Sequence, residues 1–112
     1  MAGPGATILV ADDDAYVRDD LADLLKDLPE ARLSFARTAR ETWELASGEQ
    51  PDLVLLDLKF PDAQDLALLK RLRRELPQTE VIVLSSQTGS VTTIVEAIKL
   101  GAFDFVPKPF VR

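Results

Sequence analysis

The chain has 112 residues, 46% hydrophobic and 29% charged, with a formal net charge of -6, enough for one soluble domain with one core. No basic stripe exists to displace phosphate counterions and no apolar run reaches membrane-spanning length, which disfavours nucleic-acid contact and membrane insertion and makes the cytoplasm the expected compartment. With no cysteine and no histidine, disulfides, thiolate zinc sites, thiol catalysis and a Ser-His-Asp relay all drop out.

Met1 to Ala6 is small and Gly/Pro-rich and reads as a loose lead-in to a first strand, Thr7 to Ala11. The triplet Asp12-Asp13-Asp14 follows and can cap a helix, because carboxylates there accept orphan amides and complement the helix dipole. Val17, Leu21, Leu24, Leu25 and Leu28 repeat as one buried helical stripe, stopped by Pro29. Arg32 to Ala36 is a short second strand. A thinner helical face, Ala39, Thr42, Trp43 and Ala46, is expected to close at Ser47-Gly48, with Trp43 at the core's edge.

Pro51-Asp52 opens the run Leu53-Val54-Leu55-Leu56, which ends at Asp57 and predicts a strand buried on both faces. Leu58 to Asp65 reads as a loop, and Leu66, Leu69, Leu72 and Leu76 mark a third helix ended by Pro77. The cluster Lys70-Arg71-Arg73-Arg74 fits that helix's solvated face. Glu80 to Leu84 is the fourth strand and Ser85 to Ser90 a polar loop. Val91, Ile94, Val95 and Ile98 mark a fourth helix, with Gly101 as its left-handed cap, and Phe103 to Val106 is the fifth strand. Five strands alternating with four helices predict a doubly wound parallel sheet, whose ligands lie beyond the strand C-termini.

Four strands end in groups of complementary chemistry: Asp12-Asp13-Asp14, Asp57, Ser85-Ser86 and Pro107-Lys108-Pro109. At one sheet edge, Asp12, Asp13 and Asp57 repel one another unless a cation or a raised pKa relieves them. Oxygen donors without His or Cys suit a hard ion, Mg²⁺ or Mn²⁺. Lys108 offers a point charge, and a serine hydroxyl a donor, to phosphoryl oxygens. A carboxylate among them can serve as the nucleophile of aspartyl-phosphate chemistry.

The runs Ile-Leu-Val-Ala-Asp12-Asp13-Asp14, Pro-Asp-Leu-Val-Leu-Leu-Asp57 and Gly101-Ala102-Phe103-Asp104-Phe105-Val106-Pro107-Lys108-Pro109-Phe110, with Ser85 between them, resemble the receiver domain of bacterial response regulators. The likeness spans essentially the whole chain, as one domain over 1–112. It implies the flavodoxin-like strand order 2-1-3-4-5. It also implies that Asp57 accepts a phosphoryl group from a histidine kinase or phosphotransfer protein, the domain being a regulatory switch rather than an enzyme. Asp13 would bind Mg²⁺ directly and Asp12 through water, with the Lys59 backbone carbonyl completing the set. Ser85 and Lys108 would contact phosphoryl oxygens, Phe105 would be the switch aromatic, and Lys108-Pro109 would be a cis peptide. The output implied is a population shift on the fourth-helix and fifth-strand face that controls transcription through a C-terminal output domain, with a second copy as a further partner. The terminal run is most similar to receivers of transcriptional activators with an ATPase domain.

Three departures stand out. Asp65 occupies a position that is commonly Gly, and the stretch from Ser85 to Val91 is about one residue long, which leaves Ser85 and Ser86 in competition for the hydroxyl role; Ser85 is expected because it directly follows Val81 to Leu84. The family's fifth helix is absent, so the chain reads as trimmed before it. The sheet beside the first helix should then lack about 5–10 kcal/mol of apolar cover, and the fragment should associate or be poorly stable. Two other readings compete. Asp12 and Asp14 also resemble the Asp-x-Asp of a haloacid-dehalogenase-type phosphatase, which leaves Asp57 idle, and a receiver-like adaptor that is never phosphorylated predicts a damaged acid, hydroxyl or lysine position.

Overall fold

The computed structural model describes residues 5–27, 30–60, 62, 66–85 and 91–108. In chain order these form β1 (Thr7–Ala11), α1 (Ala15–Leu25), β2 (Arg32–Ala36), α2 (Ala39–Glu49), β3 (Leu53–Asp57), α3 (Ala67–Glu75), β4 (Glu80–Ser85), α4 (Val91–Lys99) and β5 (Asp104–Pro107). All strands are parallel, in the order β2-β1-β3-β4-β5. This is the doubly wound sheet that the alternating pattern predicts, in the flavodoxin-like strand order that the resemblance implies.

Strand side chains alternate between two cores. Leu9, Val54, Leu56, Val81 and Val83 face α2, α3 and α4, where they meet Ala46, Leu69, Leu72 and Ala97. Ile8, Val10, Leu55 and Leu84 face the other way, against Val17 and Leu21 of α1. Both faces of β1 and β3 are therefore covered, which is why those strands read as unbroken apolar runs. Among the described residues, α1 is the only helix on its side of the sheet.

Several element ends differ from expectation, each for a physical reason. α2 runs through Gly48 and stops at Gln50, whose φ of 48° takes the left-handed cap while its amide donates to Ala46 O. The buried Pro51 follows at once, and a residue before proline is driven out of the α region. β4 reaches Ser85, and β5 is shifted one residue onward, to Asp104–Pro107. Gly101, at φ 110°, ends α4 as expected. Leu28 and Pro29, Asp65, Ser86 and the Lys108-Pro109 peptide lie outside the described residues.

α4 forms where Val91, Ile94, Val95 and Ile98 mark it. Val91, Val95 and Ile98 are exposed, and Ala97 is the residue fully buried, in one cluster with Val81, Val83 and Ala102. The helix carries two apolar stripes. Its small residue selects the close approach to the sheet, and the bulkier stripe is left outside with Phe103, Phe105 and Val106. On α3 the basic cluster behaves as expected at Lys70, Arg71 and Arg74. Arg73 instead folds back, donating through Nη1 to the Thr79 carbonyl and lying 3.8 Å from Glu80.

Thr79 is the buried tie at the opposite end of the sheet from Asp57. Its hydroxyl donates to the carbonyl of the buried Pro51 at 2.7 Å, joining the start of β4 to the turn before β3. Thr79→Val keeps the shape and strips a buried carbonyl of its partner, so we expect about 1–3 kcal/mol of lost stability in a denaturant melt. An unchanged midpoint would mean that water satisfies Pro51.

Candidate functional site

Asp12 and Asp57 fall on the same row of the sheet, because Ala11 pairs with Leu56 and each carboxylate is the next residue along. Their parity continues that of Val10 and Leu55, so both project toward the α1 side. Asp12 is 0% exposed; its Oδ1 accepts the Asp14 amide at 2.9 Å, and its own amide donates to Ala36 O. Asp14, the N-cap of α1, accepts from Tyr16 N at 2.8 Å. The expected cap is therefore made by the third acid of the triplet, and Asp12 and Asp13 remain for the site.

Asp57 Oδ1 accepts the Lys59 amide at 3.1 Å, which draws the Lys59 peptide against the carboxylate. Lys108 arrives from the end of β5. Its Nζ donates to Asp12 Oδ2 at 2.9 Å and to Asp57 Oδ2 at 3.3 Å, bridging residues 96 and 51 positions away. Carboxylate oxygens of Asp12, Asp13 and Asp57 lie within 4.8 Å of one another, and Asp13 is the exposed member.

Burial pushes the Asp57 carboxyl above its ordinary value. The Asp12 charge adds to the rise, while the Lys59 amide and the Lys108 ammonium oppose it. For Lys108, burial disfavours the ammonium, but the hydrogen bond to Asp12 and the charges of Asp57 and Asp12 outweigh it and hold the pKa above normal. Three carboxylates against one ammonium leave the cluster two negative charges in excess. An all-oxygen donor set with that excess fits a hard divalent cation.

Ser85 ends β4 opposite Pro107, and its side chain lies outside what the structure describes. Phe105 pairs with Val83, on the α4 side of the sheet, and is 40% exposed. One contact near the site was not foreseen. Asp62, read from sequence as a loop residue, accepts the Ala39 and Arg40 amides at 2.8 and 3.1 Å. No local signal marks it, because its partners are 23 and 22 positions away in the chain.

Residues 8–112 match the family described as response regulator receiver domain, and the chain belongs to that family. It is a receiver domain of the two-component signalling type. It is 38% identical over 104 residues to protein-glutamate methylesterase/protein-glutamine glutaminase 3 of Vibrio cholerae, covering 91% of this chain and 28% of that protein. It is 37% identical over 105 residues to the DNA-binding transcriptional regulator NtrC of Azospirillum brasilense, covering 94% of this chain and 21% of that protein. The chain thus spans under a third of the length of these relatives. Among solved structures, the receiver domain of NtrX from Brucella abortus superposes with a TM-score of 0.82 at 33% identity, covering 93% of this chain and 87% of that one. The response regulator domain of Thermotoga maritima CheB gives a TM-score of 0.78 at 31% identity, covering 93% and 78% respectively. No helix among the described residues is long and apolar enough to cross a membrane.

Proposed function

We propose that the domain is a phosphorylation switch in which Asp57 is the acceptor. The observation that carries this reading is Lys108, placed by β5 so that one ammonium holds both Asp12 and Asp57. Asp57 Oδ attacks the phosphorus of a phosphohistidine on a histidine kinase or phosphotransfer protein. An O–P bond forms, the N–P bond breaks, and the electron pair stays on the imidazole nitrogen. Lys108, freed from Asp57 as that oxygen is esterified, turns to a phosphoryl oxygen, and the Ser85 hydroxyl donates to another.

Asp13 and Asp57, the Lys59 carbonyl, and Asp12 through water would hold Mg²⁺, with Mn²⁺ suiting the same donors. When bound, the cation supplies positive charge to the phosphoryl oxygens. Phe105 turns inward as Ser85 engages the phosphoryl group, and the population shifts on the α4 and β5 face. The apolar side chains already exposed there, Val91, Val95, Ile98, Phe105 and Val106, support that face as the output surface. The relatives' greater length supports a parent chain with an output domain after this one. Transcriptional control is the reading favoured by likeness to NtrC; likeness to the methylesterase favours regulation of an attached enzyme instead. The phosphatase reading needs Asp14 at the reacting centre, but that carboxylate accepts the Tyr16 amide as the cap of α1.

The test is intact mass after incubation with acetyl phosphate and Mg²⁺, for wild type and Asp57→Asn. One phosphoryl adduct that maps to Asp57, and that does not form in EDTA, is expected. An adduct mapped elsewhere, or full labelling in EDTA, sinks the proposal. With phosphorylation followed by mass and the Phe105 ring by its NMR signals, Ser85→Ala is expected to uncouple Phe105 motion from phosphorylation and Ser86→Ala to leave it coupled; the reverse moves the hydroxyl role to Ser86.

A further inference from the structure

The phosphoryl chemistry makes no use of Asp62, although this residue ties the site's own loop to a neighbouring helix. α2 has caps of its own: Thr38 Oγ1 accepts the Glu41 amide at 3.0 Å, and the Thr38 carbonyl takes the Thr42 amide at 3.0 Å. Two first-turn amides, Ala39 and Arg40, are left over, and the Asp62 carboxylate accepts both. Such donors sit at the positive end of the helix dipole and favour an anion. The two backbone hydrogen bonds accordingly hold the Asp62 carboxyl below its ordinary range. The platform beneath is firm, since Thr42 and Ala46 are buried and Arg71 of α3 stacks 3.8 Å from the Trp43 ring.

Three described residues of this stretch are thus anchored. Asp57 is fixed at the end of β3, the Phe60 side chain is buried in the core, and Asp62 is docked on α2. Lys59 lies between these anchors, with its amide on Asp57 Oδ1. We propose that Asp62 is a positioning residue for the phosphoryl-transfer site: by docking on α2 it holds the Lys59 peptide against Asp57. This rests on the proposed function, in which the Lys59 carbonyl is a cation ligand. Asp62 touches neither the cation nor the phosphoryl group and acts through the backbone it restrains.

The test uses the full chain in four forms: wild type, Asp62→Ala, Asp62→Asn and Thr38→Ala. Amide exchange is followed at Lys59, Ala39, Arg40 and Glu41 in metal-free buffer, and a Mg²⁺ titration is then read from the Lys59 amide resonance. Asp62→Ala should accelerate exchange at Lys59 as well as at Ala39 and Arg40, and should raise the Mg²⁺ half-saturation about tenfold, as loss of a group that orients a ligand commonly does. Asp62→Asn keeps an acceptor oxygen and the fold, and should fall between wild type and Asp62→Ala. Thr38→Ala should open Glu41 and leave Lys59 protected. If Asp62→Ala opens Ala39 and Arg40 while Lys59 keeps its wild-type protection, Asp62 is a helix cap and nothing more. Equal loss of Lys59 protection in Thr38→Ala also overturns the proposal, because any loosening of α2 would then suffice. A wild-type chain that binds no Mg²⁺ refutes the functional reading by itself, and Lys59 exchange still decides whether Asp62 positions the loop.

Discussion

Asp57→Asn should accept no phosphoryl group and, in metal-free buffer near neutral pH, should melt above wild type. The first result follows from loss of the nucleophile. The second follows from electrostatics. Burial and the neighbouring Asp12 raise the Asp57 carboxyl above 3.8, so the folded state holds its proton more tightly than the unfolded chain does. A group raised in this way contributes stability that is full below 3.8 and lost as pH rises through the folded value. At neutral pH wild type carries that cost and the amide does not. The advantage of Asp57→Asn should therefore shrink as pH falls toward 3.8 and reverse in sign nowhere above it. Lys108 works in the opposite sense: its raised pKa means that its pairing contributes fully below 10.5 and is lost only as alkaline pH passes its folded value. Thermal melts at several pH values in EDTA read both effects. A variant that melts at or below wild type at pH 7 would show that Lys108 already neutralises Asp57 in full.

How much of this was legible beforehand depends on the length scale of each signal. The apolar runs of β1 and β3 and the acids that end them are local, and they mark strands and site together. The strand order came from the family resemblance, and the register then brought Asp12 level with Asp57. The existence of α4 was legible but its buried face was not: the periodicity fits two stripes, and choosing between them depends on how closely Ala97 lets the helix approach Val81 and Val83. Gln50 in place of Gly48 as the left-handed cap was hidden for a similar reason: the buried proline after it outweighs glycine's own preference. Asp62 was invisible, since a carboxylate in a loop gives no sign of which distant helix it will cap.

Lys108→Ala should destabilise the metal-free domain and at the same time tighten its hold on Mg²⁺. Asp12 is fully buried, and its charge is met by the Lys108 ammonium at 2.9 Å. Removing one partner of a buried pair commonly costs about 3–5 kcal/mol, because the other charge is left uncompensated. Set against a typical domain stability of about 5–15 kcal/mol, that leaves a folded but weakened protein. The same ammonium also occupies Asp57 Oδ2 at 3.3 Å, and so competes with any cation for these carboxylates. Without it the cluster's excess rises from two negative charges to three, and added Mg²⁺ should restore more of the lost stability than it adds to wild type. Phosphoryl uptake should fall even with Mg²⁺ saturating, since one donor to the transferring oxygens is gone. Denaturant melts with and without Mg²⁺, alongside adduct formation from acetyl phosphate, separate these effects. An equal Mg²⁺-induced gain in the variant and wild type would mean that Lys108 and the cation do not share ligands, and the charge arrangement argued for the site would have to be redrawn.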